Sequence, residues 1–287
     1  MLLPRPPPIR LSLRHLSLMG VLVGLLAAQP LMASDVTFSN ALDTAINSTK
    51  RTESLRARDS ARHPREVLKL AELNPNDNVV ELLPGGGYWT EILAPFITQG
   101  HYRLVLGPSS RATDEQQLLR WQTRLQALGV NPATVSFGFL DKTRSELGTD
   151  DSADVVLTFR NIHNWMEDER LDATLAAIYR SLKPGGRLLV EEHRGRTDRP
   201  QDPKAQDGYV REDFMIQAAT RTGFMLTRQS EVLANPRDSK DYPEGVWTLP
   251  PTLALGEKDR DKYLAIGEAD NFLLLFTKPR PAPTGMH

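Results

Sequence analysis

The chain has 287 residues, of which 40% are hydrophobic and 25% charged, as in ordinary globular proteins. Thirty-five Lys and Arg residues nearly balance 36 Asp and Glu residues, so charge gives no general attraction to nucleic acid or to an anionic membrane. The chain has no cysteine, which excludes disulfides, Cys-based zinc sites and a thiol nucleophile. These values favour one folded domain and give no support to a nucleic-acid substrate.

The N-terminus has the pattern of an export signal. Arg5, Arg10 and Arg14 precede an apolar run over residues 16–28, which is shorter than the roughly 20 residues that a membrane-spanning helix needs. A plausible cleavage site follows Ala33. We therefore expect a periplasmic or secreted protein without stable membrane insertion after cleavage; a cytoplasmic protein, or one anchored by an uncleaved signal, is the alternative.

The next segments predict a first strand–turn–helix unit. Residues 34–60 are polar and mixed, which predicts an arm or a short helix without functional residues. A helical pattern over residues 64–73 ends in turn-forming residues. Residues 79–83 then predict a short strand, residues 84–87 (PGGG) a turn, and residues 88–96 a helix.

The same alternation continues to the C-terminus and predicts an α/β fold. Short buried strands separated by helices are typical of a doubly wound, parallel sheet with helices on both faces. The predicted strands lie at residues 102–106, 134–139, 154–158, 187–191, 224–232 and 271–277, the predicted helices at residues 114–128, 167–182 and 212–222, and a turn at Lys183–Gly186. The predicted organisation is a signal peptide (1–33), the arm (34–60), one domain (61–278) and a tail (279–287).

Three consecutive glycines, Gly85 to Gly87, follow the first predicted strand. Glycine lets the backbone approach a ligand closely, and the carboxyl edge of a doubly wound sheet is where ligands bind. The turn therefore predicts a site for a nucleotide-like ligand. The alternative is a tight connection that binds nothing.

Several motifs resemble those of class I S-adenosylmethionine-dependent methyltransferases. Glu81–Thr90 (ELLPGGGYWT) is similar to their first motif, residues 152–158 to their fourth strand, residues 159–165 to the loop after it, and residues 182–190 to their turn into the fifth strand. With residues 58–64, the chain resembles a bacterial group of predicted methyltransferases that carry export signals. The resemblance implies a Rossmann-like, mostly parallel seven-stranded sheet whose C-terminal strand is antiparallel, and S-adenosylmethionine as cofactor.

The resemblance also implies a set of cofactor-binding residues. Glu81 is expected to face the ammonium group of the donor, and Asp141 to recognise adenine unless it only caps its own turn. The family's acid for the ribose hydroxyls is missing from residues 104–108, where Ser109 or Ser110 are possible substitutes. The predicted cofactor-binding residues are Glu81, Pro84, Gly85, Gly86, Gly87, Tyr88, Thr90, Asp141 and Asn161.

The predicted acceptor side lies after the fourth and fifth strands. His163 is a candidate general base because its ordinary pKa is about 6.5, although a histidine hydrogen-bonded within its loop is the alternative. One of Glu191, Glu192 and His193 is also a candidate for lining the acceptor pocket. No two histidines have helical metal-binding spacing, so no metal site is predicted.

The sequence thus predicts methyl transfer from S-adenosylmethionine to a small-molecule acceptor, with the oligomeric state left open. S-adenosylmethionine is a cytoplasmic metabolite, whereas the signal implies export. The alternative is therefore an exported, non-catalytic protein that reuses the pocket for another ligand. A nicotinamide-dependent oxidoreductase is disfavoured because Thr90 stands where the third glycine of that motif belongs.

Overall fold

The fold is described by a computed structural model for residues 40–281. The predicted signal peptide and most of the predicted tail lie outside this range. Within it, no helix has both the length and the hydropathy that a membrane span requires.

A seven-stranded sheet forms the centre of the described chain. Its spatial order is β3-β2-β1-β4-β5-β7-β6. Strands β1 to β5 pair in parallel, and β7 runs antiparallel to both β5 and β6. The predicted Rossmann-like, mostly parallel sheet with an antiparallel C-terminal strand is confirmed. The strands are β1 Asn78–Leu82, β2 His101–Leu106, β3 Val135–Phe139, β4 Ala153–Phe159, β5 Leu182–His193, β6 Met225–Ser230 and β7 Asn271–Thr277.

Helices cover both faces of this sheet. Residues 40–46 are helical, and the helices that follow are α1 Glu53–Arg56, α2 Asp59–Arg62, α3 Pro64–Leu70, α4 Thr90–Phe96, α5 Asp114–Ala127, α6 Ile162–Glu167, α7 Leu171–Ser181, α8 Glu212–Thr222 and α9 Arg260–Ile266. Local sequence sets several of their ends. Thr113 and Gln116 form a capping box that starts α5, and Gly223, with φ of +108°, ends α8.

The alternation of side chains along the strands divides the core into two parts. In β1, Val79 packs into the cluster that includes α4 and α5, whereas Val80 and Leu82 pack into the cluster that includes α7 and α8. Glu81 therefore lies on the same face of the sheet as Val79. This placement brings its carboxylate beneath the turn that follows the strand.

The predicted arm is packed against the sheet domain. Residues 40–46 place Leu42 and Ile46 in the core beside Val79, and the segment continues through α1 and α2. Apolar side chains at helical spacing, interrupted by polar ones, produce this amphipathic arrangement.

Three local predictions were wrong. The stretch after β4, expected to be a loop, contains the helix α6, and the expected helix over residues 167–182 is α7 alone, which starts at Leu171. The expected turn Lys183–Gly186 is part of β5, where the pairing with β4 shifts register between Ala153 and Val155. A glycine pair inside a strand is compatible with such an irregularity, because Gly185 takes a φ of +86°.

Candidate functional site

A crevice opens where the strand order of the sheet reverses. Strands β1 and β4 are neighbours there, and their carboxyl ends lead into two adjoining cavities of about 290 and about 450 Å³. The cavities share the wall residues Leu83, Pro84, Gly85, Asn161 and Asn164. Their sizes fit a small-molecule site, and their position is the one at which open α/β sheets bind ligands.

The three glycines of the turn differ in what they do. Gly85 and Gly87 have φ of +54° and +82°, which disfavours any other residue. A Cβ atom on Gly87 would lie 2.6 Å from Nη1 of Arg124, whereas one on Gly86 would meet nothing within 4 Å. The carbonyl oxygen of Gly86 accepts a 2.9 Å hydrogen bond from that Arg124 nitrogen, which holds the turn. Gly86 itself therefore leaves open space in the smaller cavity that it lines.

Glu81 lies beneath the turn and is almost fully buried. Its Oε2 accepts hydrogen bonds from the hydroxyl of Tyr102 and, at 2.9 Å, from the hydroxyl of Thr90. Burial raises the pKa of Glu81 to about 7, although these hydrogen bonds oppose the rise. The carboxyl group lines the smaller cavity and is held in place by its two donors.

Three arginines line the same cavity. Arg58 donates two hydrogen bonds, of 2.7 and 2.8 Å, to Glu268, and Nη1 of Arg160 lies 3.3 Å from that carboxylate. Arg62 is buried, yet no atom within residues 40–281 accepts a hydrogen bond from its Nη2. A buried guanidinium with an unused donor is a suitable partner for a carboxylate or another anion.

The larger cavity lies beyond the end of β2. Residues 106–109 line it without an acid, as the sequence indicates. Gln117 of α5 also lines it, and its buried Nε2 has no hydrogen-bond acceptor in the described chain. Asp168 supplies a carboxylate to the wall, but ion pairs with Arg170 at 3.2 Å and Lys142 at 3.4 Å engage this group.

Most of the predicted cofactor-binding residues meet in this crevice. Asn161 lines both cavities, and its Nδ2 donates to the carbonyl oxygen of Leu82 at 3.1 Å. The residues brought together are Glu81, Pro84, Gly85, Gly86, Tyr88 and Asn161. Gly87 and Thr90 line neither cavity; they support the turn and Glu81 from below.

Asp141 is not part of the crevice. Its Oδ1 accepts a hydrogen bond from the backbone of Thr143 at 2.8 Å, and its Oδ2 accepts one from Nε of Arg144 at 2.7 Å. These hydrogen bonds lower the pKa of Asp141, the bond from the Thr143 backbone most strongly. The carboxylate is therefore occupied as a cap of its own turn, which was the alternative to adenine recognition.

His163 also lines neither cavity. It is buried in α6, and its Nδ1 lies 3.0 Å from both carboxylate oxygens of Glu192. Glu192 therefore fixes the imidazole ring of His163, and the ring does not line the crevice at the glycine turn.

Sequence reasoning missed the arginines of the smaller cavity. Arg58 lies in the segment expected to hold no functional residues, and Arg62 follows it one helical turn later. The only sequence signal for these arginines is the resemblance of residues 58–64 to the bacterial group of predicted methyltransferases with export signals. Gln117 carried no signal, because a polar residue in an amphipathic helix is usually exposed.

Comparisons with known proteins agree with this geometry. Residues 84–190 match a family model described as a methyltransferase domain. A search of curated proteins gives no match. A methyltransferase structure from Aquifex aeolicus, described as S-adenosylmethionine-dependent, is similar with a TM-score of 0.52 and 14% identity over 84% of this chain and 98% of that one.

A second similar structure is that of a protein named the [4+2]-cyclase SpnF. Its TM-score is 0.55, with 15% identity over 87% of this chain and 96% of that one. A shared fold at this identity does not by itself determine the reaction. Residues 84–190 thus match a methyltransferase domain, and the described chain has the fold of S-adenosylmethionine-dependent methyltransferases.

Proposed function

We propose that the crevice binds S-adenosylmethionine and that the protein transfers its methyl group to a small-molecule acceptor. The observation that carries this proposal is that the two cavities share a wall, which includes the glycine turn. Three arginines line the smaller cavity, and the larger cavity is lined by Gln117, whose amide nitrogen has no hydrogen-bond acceptor in the described chain. S-adenosylmethionine has the matching form, because a methionine carboxylate and a ribose lie on opposite sides of its sulfur.

The unused donors support this fit. Arg62 lines the smaller cavity, and its Nη2 has no hydrogen-bond acceptor in the described chain, while its Nε lies 3.4 Å from Glu268 and its Nη1 4.0 Å from Glu191. Its guanidinium would hold the methionine carboxylate. Gln117 has a free Nε2 beside the larger cavity, where it would donate to a ribose hydroxyl in place of the missing acid. Glu81 would accept from the donor's ammonium group, either directly or through water.

These residues bind and orient; they need not perform the chemistry. The bound cofactor supplies a methyl group already activated by its sulfonium centre. The backbone of Gly85 and Gly86 lets the ligand lie close to the sheet edge, and Asn161, fixed by Leu82, keeps the opposite wall in place. Holding two reactants in line is the main contribution that a protein makes to such a transfer.

Calorimetric titration of the purified protein with S-adenosylmethionine and with S-adenosylhomocysteine tests the proposal. We expect micromolar affinity for both, about −8 kcal/mol in binding free energy. Absence of heat, together with absence of thermal stabilisation by either ligand, would contradict it and favour the non-catalytic alternative. Acceptor candidates can then be screened by following formation of S-adenosylhomocysteine.

We also propose that the protein is exported, on the basis of its N-terminal sequence alone. The arginines and the apolar run of residues 16–28 support this, and the mature chain would begin at Ser34. A periplasmic methyltransferase would need its donor delivered across the inner membrane or bound before export.

A further inference from the structure

A cluster of two histidines and one glutamate lies outside the crevice. His163 belongs to α6, and Glu192 and His193 end β5; all three are buried. One ring nitrogen from each histidine and one carboxylate oxygen lie within 4.8 Å of one another. None of the three lines either cavity of the crevice.

Topology explains why these residues meet. Strands β4 and β5 are parallel neighbours, with Phe159 opposite Glu191, so the chain after β4 and the end of β5 reach the same place. The Glu192 carboxylate accepts hydrogen bonds from the backbone N–H groups of His163, at 3.1 Å, and His193, at 2.8 Å. The backbone therefore fixes the carboxylate between the two imidazole rings.

Two of the three distances within the cluster are close to those of a metal coordination sphere, and all three ligand atoms lie within 4.8 Å of one another. Nδ1 of His163 lies 3.0 Å, and Nδ1 of His193 3.2 Å, from the same oxygen, Oε1 of Glu192. Ligand atoms bound tetrahedrally to a zinc ion at 2.0 to 2.1 Å lie about 3.3 Å apart. Two imidazoles and a carboxylate are also a set that divalent transition metals accept, with coordination positions left open.

The surroundings resemble the support that metal ligands usually have. Backbone N–H groups of His163 and His193 hold the Glu192 carboxylate in place. The ring of Trp247 stands edge-on to His163 at 5.9 Å. It is the exposed tryptophan of the chain, at 37%, and so provides a fluorescence signal close to the cluster.

We propose that His163, Glu192 and His193 form a binding site for a divalent transition-metal ion, with Zn²⁺ as the probe. On binding, each neutral imidazole carries its single proton on Nε2, so that the Nδ1 lone pairs of His163 and His193 bind the cation together with the Glu192 carboxylate, in place of the contacts of Nδ1 with Glu192 and Gly208. The site joins α6 to the end of β5.

Chelator-treated, purified protein is to be titrated with Zn²⁺ by calorimetry, with Trp247 fluorescence recorded in parallel. We expect one strong site per chain and a change in fluorescence that Trp247→Phe removes. His163→Ala, Glu192→Gln and His193→Ala should each weaken binding by about 100-fold or more, because each removes a ligand. His101→Ala is the matched control, since His101 contacts Ser136 in the sheet and should leave binding unchanged.

The Co²⁺ spectrum of the wild-type protein gives a measurement that does not depend on how well the variants fold. Bands typical of nitrogen and oxygen ligands in a four-coordinate site are expected, and Zn²⁺ should displace them. The proposal is overturned if no strong site is found, or if His163→Ala and His193→Ala bind Zn²⁺ like the wild type; the cluster is then a buried ion pair. Binding of S-adenosylmethionine is measured separately, so failure of one proposal leaves the other intact.

Discussion

At the scale of single residues, the glycine turn separates structural from ligand-facing positions. Gly87 must be glycine because its φ is positive and Arg124 and Trp121 fill the space around it. Gly86 has neither restriction. A substitution at Gly86 therefore changes what the cavity holds, whereas one at Gly87 changes how the turn folds.

We expect Gly86→Val to abolish binding of S-adenosylhomocysteine while the melting temperature stays close to that of the wild type. The Cβ of the valine would meet no other protein atom within 4 Å, and its methyl groups would take up space in the cavity that Gly86 lines. Gly87→Ala is the contrasting variant and should cost about 1–2 kcal/mol of unfolding free energy or more. Calorimetry and denaturant unfolding measure the two effects. Full affinity in Gly86→Val would place the ligand elsewhere.

Glu81 makes stability depend on pH in a direction that can be predicted. Its pKa in the folded protein, about 7, lies above the ordinary 4.5, so between these values the folded state binds more protons than the unfolded state. The free energy of unfolding should therefore fall as the pH rises from about 4.5 to 7, by about 3 kcal/mol from this group.

Glu81→Gln removes this contribution because a glutamine does not titrate. The difference in unfolding free energy between wild type and variant should change across this pH range and level off above it. Glu115→Gln, on the exposed side of α5, should keep the wild-type dependence. Parallel curves for wild type and Glu81→Gln would mean that the carboxyl titrates normally. Chemical denaturation at a series of pH values gives the measurement.

At the scale of elements, α1 and α2 connect the N-terminal segment to the crevice. Arg51 pairs with Asp59 at 2.8 Å, and Asp59 accepts a hydrogen bond from Tyr88 in the glycine turn. The same two helices carry or flank Arg58 and Arg62, which line the smaller cavity. The segment is therefore a wall of the site.

Arg62→Gln tests this wall. The variant should lose about tenfold or more in affinity for S-adenosylhomocysteine, because a charge-assisted hydrogen bond to the carboxylate is removed. Its affinity for methylthioadenosine, which lacks the carboxylate, should not change. Arg65→Gln, in the exposed next turn, serves as control. Equal losses for both ligands would show that Arg62 acts only by shaping the fold.

At the scale of the whole molecule, the proposed export determines where the protein would work. When the full chain is expressed in a bacterium, we expect the processed form to start at Ser34 and to be recovered with the periplasmic fraction. Removal of residues 1–33 should retain the protein in the cytoplasm. Terminal sequencing and fractionation are the measurements. An intact N-terminus would instead support the alternatives, a cytoplasmic protein or one anchored by an uncleaved signal.

The sequence by itself determined the order of the elements and the place of the glycine turn. Apolar runs, helical periodicity and turn residues are local signals, and they predicted six of the seven strands to within one or two residues at each end. Of these six, β6 was predicted one residue too early at its start and two residues too late at its end. The start of β5 was misplaced. β5 was misjudged because Lys183–Gly186 has turn chemistry, while its pairing with β4 depends on a distant strand.

Only the tertiary structure decided which side chains share the site. Arg62 and Gln117 come from helices whose faces are set by packing, and Arg58 from the turn between α1 and α2. The meeting of the two arginines with Glu81 in the smaller cavity, and the place of Gln117 in the larger one, therefore cannot be read from spacing along the chain. The same holds for His163 and His193, thirty residues apart in sequence yet brought to one carboxylate by the pairing of β4 with β5. Strand pairing and helix packing join distant residues, and a single sequence records neither directly.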